Sequence, residues 1–166
     1  MTAGGGGAGE LARVAIGLLT ERGETIATAE SLTGGLVAAA LTGVPGSSAA
    51  MRGGLVTYAA DLKASLLDVP SDLLKRCGVV HGSVAEAMAR GARARLGASY
   101  AVATTGIAGP DPAEGKPVGM VFVAVAGPGG TACARLALTG DREAIRAASV
   151  EGVLSLLVRV MREHEA

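Results

Sequence analysis

The chain is short of the side chains from which most catalytic and recognition sites are built. Among its 166 residues there are two histidines, His81 and His164, and the second lies in the last few residues. This excludes a multi-histidine metal site. It leaves only His81 for a Ser-His-Asp triad, and no neighbouring motif recommends that residue. The two cysteines, Cys77 and Cys133, are far apart and show neither C-x-x-C nor metal-ligand spacing. They read as reduced thiols of a cytoplasmic protein. There is no Trp, one Phe and two Tyr, and 15 Lys+Arg balance 15 Asp+Glu. Without a basic excess or aromatic stacking platforms, DNA or RNA binding is excluded as the main function. No apolar run approaches the roughly 20 residues that span a bilayer. No basic segment followed by an apolar one opens the chain, so neither a membrane span nor a secretory leader is expected.

What is abundant is small and apolar. Hydrophobic residues make up 49% and charged residues 18%, which fits one globular domain with a substantial core. The 26 glycines among 166 residues are roughly twice the usual share of about 7%. Many fall where strands are expected to end: Gly34, Gly35, Gly46, Gly106 and Gly109. Glycine there lets a ligand approach the backbone, and it equally serves tight packing. Residues 1–9 form a Gly-rich leader, expected to be a mobile tail ahead of a single domain over residues 10–166.

Hydrophobic periodicity orders the elements. Glu10 to Arg22 reads as a helix stopped by Gly23, with Leu11, Val14, Ala15, Leu18 and Leu19 at helical spacing. Strands are expected over 25–29, 54–58, 100–104, 118–126 and 132–138, and helices over 34–42, 61–67, 71–76, 83–96 and 141–162. The loop 43–48 carries turn chemistry, and Gly127-Pro128-Gly129-Gly130 turns the last two strands into a hairpin. Helices join the first three strands, which makes these parallel with right-handed crossovers. The last three form a meander with the fourth strand antiparallel. The fold class is therefore α/β, a mixed sheet covered by helices on both faces.

The most informative stretch is Ala29-Glu30-Ser31-Leu32-Thr33-Gly34-Gly35. It places Ser31 where a strand gives way to a helix, beside backbone N–H groups without helical partners. Such a hydroxyl suits a nucleophile with its own oxyanion donors, or an anion site. The heptapeptide alone also fits an ordinary N-cap. Other polar groups converge on the same rim, where ligands of open α/β sheets bind. Tyr58 ends the second strand, Lys63 follows in the next helix, and Thr104, Thr105 and Gly106 end the third. Acyl transfer is the chemistry these groups permit. Ser31 attacks a carbonyl carbon, and Lys63, once desolvation makes it neutral, takes the proton. Tyr58 positions the lysine or relays a proton. Backbone N–H groups at Thr33 and Gly34, or at Gly106, receive the oxyanion.

Four segments, TAESLTGGLVAAALTGVPGSSAAMRGGLVTYAADLKASLLDVP, GVVHGSVAEAMARGAR, ATTGIAGPDPAEGKPVGMVFVAV and GDREAIR, closely resemble the CinA C-terminal domain family. Its stand-alone members are the PncC-type nicotinamide-nucleotide amidases, the form this chain is similar to. The resemblance covers about Leu11 to Val160. It implies a three-layer α/β/α sandwich whose five-stranded sheet has the order 2-1-3-4-5. The activity it implies is hydrolysis of nicotinamide mononucleotide to nicotinic acid mononucleotide and ammonia in pyridine-nucleotide salvage, with neither metal nor organic cofactor.

Residue by residue, Ser31 matches the nucleophile and Lys63, after Tyr58, its base partner. Thr105 and Gly106 match residues near the reacting group. The resemblance leaves Thr33, Gly34, Ser47 and Ser48 to hold phosphate or ribose. It makes Arg142 and Arg146 the expected cationic partners of the phosphate. The chain departs from the family at Ala85, commonly serine, and at Asp111-Pro112-Ala113, often glycine-rich. The alternative function is a non-catalytic nucleotide- or partner-binding module linked to competence and recombination. The apolar composition points to a homo-oligomer.

Overall fold

The computed structural model describes residues 6–165. Helix α1 (Ala8–Arg22) leads into strand β1 (Ile26–Glu30), followed by α2 (Leu36–Thr42), a short 3-10 turn (Ser47–Ala49) and β2 (Met51–Val56). Three helices come next, α3 (Ala60–Leu67), α4 (Ser71–Cys77) and α5 (Gly82–Leu96). Strands β3 (Tyr100–Gly106), β4 (Met120–Gly127) and β5 (Gly130–Ala137) precede the closing α6 (Arg142–Glu163). Of the expected tail, residues 1–5 lie outside the described residues, whereas Ala8 and Gly9 already belong to α1. Strand β2 begins and ends earlier than its apolar residues suggest, so Tyr58 stands beyond it. The reason is register: β1 Ile26 pairs with Met51 and Glu30 with Val56.

The five strands form one sheet in the order β2-β1-β3-β4-β5. Strand β1 is parallel to β2 and β3, and β4 is antiparallel to both its neighbours. Order reverses at β1 and β3, which opens the crevice beyond their carboxyl ends.

Strand alternation gives the sheet two unlike faces. Ile26, Tyr100, Val102, Val121, Val123 and Val125 point to one side and pack with Ile16, Leu19, Leu41, Leu154 and Leu157 of α1, α2 and α6. Ala27, Ala29, Ala101, Ala103, Ala124 and Ala126 point to the other, against Val84, Ala85, Met88 and Ala92 of α5 and Leu67 of α3. The small residues bring α5 close to the sheet. At Gly91 a Cβ would overlap the Leu67 carbonyl oxygen, so α3 rests directly on α5 backbone. No helix among the described residues is long and apolar enough to cross a membrane.

Candidate active site

The end of β1 is locked from beneath by a carboxylate. Glu30 is buried, and its Oε1 accepts from the Val37 N–H at 2.8 Å while Oε2 accepts from the Ala38 N–H at 3.1 Å. These are first-turn donors of α2, so Glu30 caps that helix and Ser31 does not. Thr33 Oγ1 donates to Glu30 Oε1 at 2.7 Å and lies 2.8 Å from Thr104 Oγ1. A carboxylate only accepts, so the chain of donors runs from Thr104 to Thr33 to Glu30. The Ser31 N–H donates to the Thr104 carbonyl at 3.1 Å. Gly34 (φ 57°) and Gly35 (φ 105°) then turn the backbone into α2. Nothing in the composition marks Glu30. Its position immediately after a β run and ahead of a Gly-Gly turn is the signal that identifies it.

This turn presents Ser31 to Lys63. The lysine is fully buried, and its Nζ lies 3.0 Å from Ser31 Oγ, 2.6 Å from the Thr57 carbonyl oxygen and 3.3 Å from that of Tyr58. An ammonium satisfies all three contacts as donor. A neutral amine gives its two hydrogens to the carbonyls and turns its lone pair to the serine hydroxyl. Burial lowers the Lys63 pKa from 10.5 to about 8, against Glu114, which raises it. At pH 7 about a tenth of the molecules therefore hold the neutral base. The Gly34 N–H bonds the Ser31 carbonyl at 3.1 Å and is spent within the turn. Among the described residues, the N–H groups of Leu32 and Thr33 donate to no protein acceptor. They, unlike Gly34, keep their donors unspent, and Leu32 lies on the cavity wall.

A cavity of about 240 Å³ opens in front of Ser31, walled by Leu32, Tyr58, Val79, Val80, Gly106–Gly109, Asp111, Ala113, Glu114 and Arg142. Gly106 fits because a Cβ there would come within 2.6 Å of Val121 Cγ2. Arg142 donates to the Gly109 carbonyl at 2.6 Å and to the Tyr58 hydroxyl at 3.1 Å. Neither Arg142 nor Arg146 has a carboxylate partner among the described residues.

Several expected site residues take other places. The Tyr58 phenol is 61% exposed at the cavity mouth, so its carbonyl and not its hydroxyl meets Lys63. Thr105 donates to the Val79 carbonyl at 2.7 Å. It ties the 78–81 strap to β3, and its hydroxyl is thereby committed. Thr33 is spent as a side chain on Glu30 and Thr104. Arg146 reaches back to the Leu32 and Thr33 carbonyls at 2.9 and 3.4 Å, which clamps the Ser31 turn. Ser47 and Ser48 belong to the opposite rim. They sit in the turn before β2, where Ala50 accepts the Ile26 N–H at the start of β1, and Ser47 Oγ bonds the Thr42 carbonyl. A residue at the amino end of β1 cannot meet a ligand at its carboxyl end. Of the two carboxylates on the cavity wall, Asp111 reads in the sequence only as a departure from the family's loop, and Glu114 escapes the sequence reading. Among the described residues no cluster of His, Cys, Asp or Glu could hold a metal ion.

This geometry occurs in a known setting. Residues 8–161 match the CinA C-terminal domain. A CinA-like protein of Frankia casuarinae is 51% identical over 157 residues, which is 95% of this chain and 36% of that protein. The chain thus spans little more than a third of the curated relatives it matches. The competence/damage inducible protein CihA of Agrobacterium tumefaciens superposes with a TM-score of 0.90 at 41% identity, covering 93% of this chain and 96% of that one. A CinA superfamily protein from Escherichia coli gives 0.91 at 30% identity, covering 96% and 93%. With a serine and a buried lysine at the carboxyl rim of a 2-1-3-4-5 sheet, the chain belongs to the CinA C-terminal domain family.

Proposed function

We propose that this protein is an amidase that hydrolyses the carboxamide of nicotinamide mononucleotide to nicotinic acid mononucleotide and ammonia. The observation that carries the reading is the 3.0 Å contact between Lys63 Nζ and Ser31 Oγ at the floor of an open cavity. Burying a lysine at a rim that meets solvent costs stability, and a base beside a nucleophile is the return. Ser31 Oγ attacks the amide carbon and its proton passes to Lys63. The oxyanion is met by the Leu32 and Thr33 N–H groups. The protonated lysine then gives its proton to the departing nitrogen, and ammonia leaves an ester on Ser31. Water attacks the ester, Lys63 takes the water proton, and the carboxylic acid departs as Ser31 recovers its hydrogen. At the mouth, Arg142, which has no carboxylate partner among the described residues, offers its guanidinium to the phosphate.

The test is ammonia release from nicotinamide mononucleotide. Ser31→Ala should lower kcat by at least about 10³-fold with the fold intact. Activity retained in that variant would refute the nucleophile. Binding of the nucleotide without ammonia release by the unaltered protein would favour the binding-module alternative.

A further inference from the structure

The cavity carries its charges unevenly. Arg142 stands at the mouth beside Tyr58, while Asp111 and Glu114 stand on the 107–119 loop. Glu114 is the fixed one. Its Oε1 accepts from the Val79 N–H at 3.0 Å and its Oε2 from the Val80 N–H at 3.3 Å. Gly78 leaves room for it, because a Cβ there would lie 2.5 Å from Glu114 Oε2. The Glu114 backbone itself takes a φ of 54°, a region non-glycine residues seldom enter. Burial alone would raise this carboxyl, but the two N–H donors and Lys116 outweigh it and hold the group below the ordinary carboxylate range. Lys116, 3.6 Å away, is outside the cavity wall and donates to the Cys77 and Val80 carbonyls.

A carboxylate in this place works against the catalytic pair. Burial favours loss of the Lys63 proton, and Glu114 opposes it. Other charged groups lie on the neighbouring elements: Asp61 exposed on α3, Asp68 exposed just after it, Glu86 and Arg90 paired on α5, and Arg142 on the cavity wall. Glu114 is the one whose field holds the proton on Lys63. That arrangement is costly for an enzyme unless the ligand brings a positive charge of its own.

We propose that Glu114 makes the cavity selective for an amide carried on a cationic ring, such as a pyridinium carboxamide, over a neutral amide of the same shape. The inference rests on the amidase reading and refines its substrate class. A cationic ring seated before Ser31 is attracted by Glu114. It also cancels the carboxylate's field at Lys63, so arrival of the substrate favours the neutral base. A neutral carboxamide does neither.

Calorimetry on Ser31→Ala protein, with nicotinamide mononucleotide and its uncharged C-nucleoside isostere, benzamide riboside 5′-monophosphate, provides the test. The cationic ligand should bind about tenfold tighter or better at low salt, and E114Q should erase most of that preference. Equal affinities with Glu114 in place would overturn the inference while leaving the amidase reading standing, and so would a preference that persists in E114Q. Failure of both ligands to bind would remove the amidase reading itself. In protein with Ser31 intact, E114Q should shift the rising limb of kcat/KM to lower pH. A residue that only ties the loop to the strap would leave that midpoint in place. If E114Q does not fold, E114Q/K116M, which also removes the stranded ammonium, carries the same comparison.

Discussion

The two rims of the sheet differ in how many polar side chains they bury. At the amino rim, side chains serve the backbone: Ser99 Oγ accepts the Thr25 N–H at 3.0 Å, and Thr25 Oγ1 accepts the Ser99 N–H at 3.0 Å. At the carboxyl rim, Glu30 and Glu114 likewise accept backbone N–H groups, and backbone carbonyls also hold side chains. Carbonyls of Thr57 and Tyr58 hold Lys63, and that of Val79 holds Thr105. The same rim buries Glu30, Ser31, Thr33, Thr57, Lys63, Thr104 and Thr105. Polar groups are tolerated inside a protein when they are paired. At the amino rim Thr25 and Ser99 pair with each other, while Glu24 Oε2 and Tyr100 Oη have no hydrogen-bond partner among the described residues. The carboxyl rim keeps two N–H groups and a hydroxyl in reserve.

Four substitutions test this contrast, beginning with the largest effect. Lys63→Met should lower kcat by at least about 10³-fold and yet stabilise the fold at pH 7 by up to about 3 kcal/mol. The sign follows from the lysine's lowered pKa. Between about 8 and 10.5 the unfolded chain binds the extra proton, so stability of the unaltered protein rises with pH across that window. Its handicap relative to Lys63→Met is complete below pH 8 and shrinks toward 10.5, as urea unfolding at pH 7 and pH 10 would show. Loss of stability at both pH values would contradict the assignment of a strained, desolvated amine.

Glu30→Ala removes the acceptor of two backbone donors and one hydroxyl, and should cost about 2–4 kcal/mol. Because the turn it anchors carries Ser31, kcat should fall with it. A variant that lost stability but kept kcat would show that the turn holds its shape without the carboxylate. At the other rim, Ser99→Ala should cost about 1 kcal/mol in chemical denaturation and leave turnover unchanged. The smallest effect belongs to Ser48→Ala, which should change stability by less than about 0.5 kcal/mol and KM not at all. A raised KM there would bring the amino rim back into substrate binding.

Much of the fold was legible in the sequence. Alternation and turn chemistry gave the five strands and six α-helices, with β2 read three residues late, and they put the Ser31 turn and Gly106 at strand ends and Lys63 in the helix after β2. What could not be read was the direction of side chains. Tyr58 and Thr105 flank the site, but their hydroxyls are committed to Arg142 and to the Val79 carbonyl. Ser47 and Ser48 carry the right chemistry in a glycine-rich loop, and only the β1–β2 register shows that this loop faces away from the site. Glu30 and Glu114 were missed because a carboxylate that accepts backbone N–H bonds looks in sequence like any solvated acid.

The bare backbone contact between α5 and α3 gives Gly91 an influence beyond its size. Any side chain at that position would lever the last turn of α3 away from α5, and Lys63 sits one turn earlier on the same helix. A screen for silenced variants should therefore recover a site with no side chain and no place in the cavity. Its suppressors should cluster on α3, where small shifts return the amine to its serine.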